Sequence, residues 1–200
     1  MCRLRTGGFA VGLWLSVSGL VAAESQVLLD DARARVALIR VSDEAPYNLA
    51  APEPNGAVWV ALDDSAVVDS GDGGARKVLA GVPETLGARQ KVIFAAQGDK
   101  VVRIIVVEPR KTQQPLTVET LALSAHQELQ DASDRNDTLL IALSPLRLRD
   151  VWNVGDESDW KPSKPRVLLM PTGAVTWLRS GMHHLTNLLG TDAKFLTLEW

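Results

Sequence analysis

Val167 to Trp200 reads VLLMPTGAVTWLRSGMHHLTNLLGTDAKFLTLEW, and its punctuation decides the fold. Two apolar runs flank Pro171-Thr-Gly173, a turn signal. A His183-His-Leu-Thr-Asn187 segment follows, then a glycine turn and a last apolar strand. A shorter version of the plan, KVIFAAQGDKVVRIIVVE, runs from Lys91 to Glu108. The chain reads as one β-unit written twice, with the chemistry-bearing residues in the second copy.

Working outward, the first strand candidate is Val36 to Ser42, followed by a Pro-containing loop from Glu44 to Asn55. Ala57-Val-Trp-Val-Ala-Leu62 is β-branched, aromatic and uninterrupted, which suits a strand buried on both faces. Ser65 to Val68 continues the pattern, and Asp69 to Gly74 is a tight-turn signal. Lys77 to Val82, Gln90 to Ala95 and Val101 to Glu108 complete the first half. Thr117 to Ser124 then matches Arg35 to Ser42, and Asn136 to Leu143 matches Asn55 to Leu62, at an offset of about 81 residues. The offset grows to about 92 near the end, so the second copy carries an insertion, Val151 to Pro165 (VWNVGDESDWKPSKP). The expected domains are 24–109 and 117–200, joined by a linker at 110–116 within the Pro109–Pro115 stretch PRKTQQP. Helical spacing is scarce, so the fold class is all-β.

Composition narrows the function. Hydrophobic residues make up 46% of the 200, enough for a packed core. The formal charge is −3, and −5 without Arg3 and Arg5. With no basic run, the chain is a poor partner for nucleic acid. Residues 1–23 have the layout of a secretory signal peptide: Arg3 and Arg5, an apolar run from Phe9 to Val21, then Ala22-Ala23. The run is short for a membrane span, although an uncleaved anchor is the alternative. The expected location is therefore outside the cytoplasm, periplasmic or secreted, with no membrane span after cleavage. Cys2 is the single cysteine and leaves with the leader, so no disulfide or thiol chemistry is expected.

Gly181-Met-His183 with Asn187, preceded by Pro171-Thr-Gly173, resembles the second motif of the cupin superfamily. The spacing departs from the family's pattern in that Gly181 precedes His183 by one residue instead of two. The resemblance spans both copies, so the fold it implies is a pair of tandem double-stranded β-helix (jelly-roll) barrels. The family's first motif supplies His-x-His and a Glu, which hold a divalent metal with the later His. In the first copy Leu49 to Glu53 takes that place and Lys91 stands where the later His would be, so that copy is expected to be metal-free. In the second copy Asp131 falls near the first-motif histidines and Asp137 near the Glu. His183, Asp131 and Asp137 are thus candidate ligands for a divalent transition metal in the C-terminal barrel, of a one-nitrogen, two-oxygen kind. The alternative is that the acids sit in a solvated loop, and the leading expectation is no cofactor. His183 and His184 face opposite sides of a strand, so at most one points inward.

Trp152 and Trp160 flank the insertion, and either line a barrel mouth or clamp the loop. Trp59 and Trp177 are assigned to the core. Arg147 and Arg149 share a strand face by period two. The binding candidates are therefore His183, Asp131, Asp137, Arg147, Trp152 and Trp160. Neither a nucleophile elbow nor a phosphate-cradling glycine loop occurs, and no catalytic residue is assigned. The leading reading is non-catalytic binding of a small molecule or an envelope protein. Its competitors are a metal-dependent oxygenase or isomerase, implied by the resemblance, and a purely structural envelope protein. Exposed sheet edges make a homodimer conceivable.

Overall fold

The computed structural model describes residues 22–71, 74–110, 116–131, 138–153 and 163–199, with the backbone alone at Gln130 and Asp131. Over these residues the chain is all-β, with strands and turns and no helix. Residues 1–21 of the expected leader, the linker residues 111–115, Asp137, the insertion residues 154–162 with Trp160, and Trp200 lie outside the described residues.

The strands form four antiparallel sheets. In spatial order the first holds β1 (Glu24–Asp30), β2 (Ala34–Val41), β9 (Val102–Pro109), β4 (Ala57–Ala61) and β7 (Pro83–Leu86). The second holds β3 (Tyr47–Ala50), β8 (Lys91–Ala96), β5 (Ala66–Asp69) and β6 (Ala75–Lys77). The third holds β10 (Thr117–Leu123), β17 (Ala193–Glu199), β12 (Thr138–Ala142) and β15 (Val175–Leu178). The fourth holds β11 (Glu128–Asp131), β16 (Met182–Asn187), β13 (Leu146–Asn153) and β14 (Arg166–Met170).

Side-chain alternation explains how the sheets stack. On β4, Ala57, Trp59 and Ala61 join the core between the first and second sheets, where Trp59 meets Phe94 edge-on at 5.0 Å. Val58 and Val60, on the other face of that strand, join a second core with Leu139 and Ile141 of β12 and Leu196 and Leu198 of β17. The opposite face of β12, Leu140 and Ala142, packs with Leu148, Leu185 and Phe195 between the third and fourth sheets. Both β4 and β12 are buried at every position. That is why their sequences are continuous apolar runs instead of alternating ones. The first and third sheets are thus the inner layers of the stack, and the fourth sheet is an outer one.

Several elements depart from the sequence reading. The segment 24–30 is a strand although its residues are mostly exposed, because backbone pairing with β2 holds it at a sheet edge. Tyr47–Ala50, expected in a loop, pairs with β8 and buries only Leu49. The expected strand Lys77–Val82 stops at Lys77; Gly81, at φ +76°, turns the chain, and strand resumes at Pro83. Lys91 is exposed while Val92 faces the core. The inward position of that strand is therefore apolar, and the lysine reading for it is corrected by one residue. Trp177 is half-buried instead of central: its Nε1 donates to Asp31 (2.8 Å), and the Arg33 guanidinium lies 3.8 Å from its ring centre.

Candidate functional site

The fourth sheet brings the polar residues together. On β13 the alternation Leu146, Leu148, Asp150 points inward, while Arg147 and Arg149 are exposed on the outer face. The two arginines do share one face, but it is the solvent face. Arg147 therefore stands on the solvent face of the fourth sheet, opposite the side that carries Asp150. Asp150 occupies an inward position and is 0% exposed.

A carboxylate that deep must be paired or neutralised. His183 on β16 supplies one partner: its Nδ1 donates to Asp150 Oδ1 at 2.8 Å. Arg166 on β14 supplies the other, its Nε donating to Asp150 Oδ2 at 2.6 Å. His183 is itself 2% exposed, and its Nε2 donates to the Arg179 carbonyl at 2.7 Å. Both ring nitrogens face acceptors, a carboxylate and a carbonyl, an arrangement that suits the doubly protonated ring. Burial alone would pull the His183 pKa down, but the hydrogen bonds to Asp150 and the Arg179 carbonyl outweigh it and raise the group above its usual range. Burial likewise pushes Asp150 up, and the bonds from His183 and Arg166 outweigh that and hold it below the usual aspartate range.

A cavity of about 230 Å³ opens beside this pair, lined by Trp152, Ser163, Lys164, Arg166, Arg179 and His183. Trp152 is the cross-strand partner of His183. Its backbone N–H donates to Ser163 Oγ (3.0 Å) and its carbonyl accepts from the Ser163 N–H (2.8 Å), which fixes the start of the insertion to its end. Its indole N–H donates to the Ser180 carbonyl at 3.0 Å, and the Arg179 guanidinium stands 5.4 Å from its ring centre. Gly181 permits this approach. Its φ is +130°, and a Cβ there would come 2.3 Å from the Asn153 carbonyl oxygen and 2.7 Å from the indole nitrogen.

Asn187, the last residue of the His-Asn segment, is fully buried and ties the strand ends together. Its Nδ2 donates to the carbonyls of Leu123 (3.0 Å), Ser124 (3.1 Å) and Thr191 (2.8 Å), and its Oδ1 accepts from the Leu189 N–H (2.9 Å). This is a structural clamp, since its donors and acceptor are consumed by backbone. His184 faces the other side of β16, where its Nδ1 contacts Glu128 at 3.3 Å. The two histidines thus divide as alternation requires.

Of the sequence-derived metal set, the contacts above concern His183. Asp131 stands opposite His183 in the β11–β16 register, while Asp137 lies outside the described residues. A metal ligand needs a ring nitrogen with a free lone pair, and both nitrogens of His183 are bound to acceptors. The remaining lining charges, Lys164, Arg166 and Arg179, are cations. Among the described residues no group of three His, Cys, Asp or Glu side chains converges. Of the three sequence-derived candidates, His183 is the one whose side chain is described, and its two ring nitrogens are both engaged. Asp150, Lys164, Arg166 and Arg179 escaped the sequence reading. Asp150 was accessible to it, because a strand face carrying Arg147 and Arg149 outward puts Asp150 in phase with Leu146 and Leu148.

Comparison with solved structures agrees with this architecture. The chain superposes on a conserved protein of unknown function from Pseudomonas aeruginosa with TM-score 0.63 and 11% identity, covering 88% of this chain and 87% of that one. Oxalate decarboxylase from Lactobacillus farciminis, solved as a formate complex, gives TM-score 0.62 and 10% identity over 84% and 77%. A cupin 2 conserved barrel domain protein from Leptotrichia buccalis gives 0.55 and 11% over 88% of each chain. No protein-family model and no curated protein sequence matches the chain. The fold is that of the cupins, and identities this low carry the fold alone.

Proposed function

We propose that this is an exported cupin-fold protein whose role is non-catalytic binding of a small ligand in the cavity beside His183. The observation that carries this reading is the coincidence of a compact, partly aromatic cavity with a histidine whose two ring nitrogens are both committed to protein acceptors. Held at both nitrogens, the ring is fixed in place. It braces the cavity wall. On this reading the chain consists of two cupin-like domains, 24–109 and 117–200, joined by 110–116. The strand orders β2-β9-β4-β7 and β10-β17-β12-β15 support that division, as do β3-β8-β5-β6 and β11-β16-β13-β14, because each pair corresponds strand for strand. Export rests on the N-terminal charge and apolar pattern alone.

The test is a fluorescence and thermal-shift screen of metabolite-sized compounds against the purified protein in the presence of a chelator. A saturable emission change that is lost in Trp152→Phe supports the reading. A response that requires added divalent metal, or no response to any compound, overturns it.

A further inference from the structure

Resting on the cavity reading above, we propose that the ligand is a small organic oxyanion, bound through its carboxylate or phosphate by Arg166 and Arg179. Charge is the first argument. Asp150 and His183 neutralise each other behind the cavity wall, at 2.8 Å. Among the described residues, what remains at the lining is Lys164, Arg166 and Arg179, with no acidic side chain. Three cations gathered around one cavity repel one another, and an anion placed between them removes that repulsion.

Donor geometry is the second argument. Arg166 spends Nε on Asp150 Oδ2 at 2.6 Å, and neither of its Nη groups has a hydrogen-bond partner among the described residues. The buried carboxylate therefore fixes the guanidinium by one nitrogen and leaves its outer edge open. That edge is the part of the fork that suits a two-oxygen acceptor. The Arg179 guanidinium makes a cation–π contact with Trp152 and no ion pair among the described residues. Lys164 is likewise without an ion pair among them. The anchored Arg166 has lost side-chain freedom before any ligand arrives, which lowers the cost of binding.

Size is the third. At about 230 Å³ the cavity is below the roughly 300–1,000 Å³ of sites for drug-sized ligands, so the ligand is compact. Trp152 offers it apolar contact next to the cations.

The experiment is calorimetric titration of the purified protein with sodium benzoate, with inorganic phosphate and with neutral glucose, at low and high salt. The expected result is saturable binding of benzoate or phosphate, weakened at higher salt, with Kd raised about ten-fold or more in Arg179→Gln. Lys164→Gln should raise Kd by a smaller factor. Both side chains are exposed, so neither variant should disturb folding. Benzoate binding without phosphate binding would assign a carboxylate ligand, and the reverse a phosphate. If glucose binds in a Trp152-dependent way and neither anion does, the oxyanion inference falls while the cavity reading stands. If nothing binds, both fall. Anion binding that is unchanged in Arg179→Gln and in Lys164→Gln also overturns the inference.

Discussion

Asp150→Asn would unbalance the buried charge pair with almost no change in shape. Asparagine keeps one acceptor oxygen and turns the other into an N–H donor. That donor must face either the His183 imidazolium or the Arg166 guanidinium, where wild type has bonds of 2.8 and 2.6 Å. Charge-assisted bonds contribute about 1.5–3 kcal/mol each, and stripping a buried cation of its partner costs about 3–5 kcal/mol. The Arg166 contribution needs discounting because its side chain is 42% exposed. The expected loss is about 3 kcal/mol at pH 5.

The loss should depend on pH, with a sign that follows from the two shifts. In wild type His183 is raised, so its stabilisation is full below 6.5 and fades as pH rises through the folded value. Asp150 is lowered, so its stabilisation is present above 3.8 and fades as pH falls through the folded value. The pair is therefore at full strength between those two pH values. In the variant, burial without a carboxylate depresses His183, which penalises the folded state as pH falls. Urea denaturation of both proteins at pH 5 and pH 9 measures the two gaps. The gap should be wider at pH 5. Equal gaps at the two pH values, or a loss below about 0.5 kcal/mol at pH 5, would refute the charge-pair account.

Three further outcomes are expected. Gly181→Ala should cost about 2 kcal/mol or more, from a positive φ and a Cβ that would overlap the Asn153 carbonyl, and should shift Trp152 emission as the indole is displaced; equilibrium denaturation and emission spectra check both. Asn187→Ala should cost about 3 kcal/mol by stranding buried carbonyls, and Asn187→Asp should fail to rescue it because a carboxylate has no N–H to donate; thermal melts compare the two. Leu139→Ala, in the core shared by the first and third sheets, should cost about 2–5 kcal/mol by denaturant titration.

Much of the fold was legible because its inner strands carry a strong signal. Ala57–Ala61 and residues 139–142 are apolar throughout since both faces are covered, and they stand out from any polar background. Edge strands were not legible. Glu24–Asp30 and Tyr47–Ala50 owe their structure to backbone pairing and bury few side chains, so their composition resembles a loop. At the site, His183, Asn187 and Trp152 were found from the His-His-Leu-Thr-Asn segment and the tryptophans beside the insertion. The partners that decide what His183 does, Asp150 and the Arg179 carbonyl, come from 33 and 4 residues away. No motif spacing announces them. The resemblance pointed to His183 as a metal ligand, and only the geometry shows both of its nitrogens engaged.

The most direct measurement is nitrogen-resolved NMR of the His183 side chain near neutral pH, with and without equimolar zinc. The account predicts protons on both ring nitrogens and no change on adding the metal. A deprotonated ring nitrogen whose resonance moves with zinc would contradict it and restore His183 as a metal ligand.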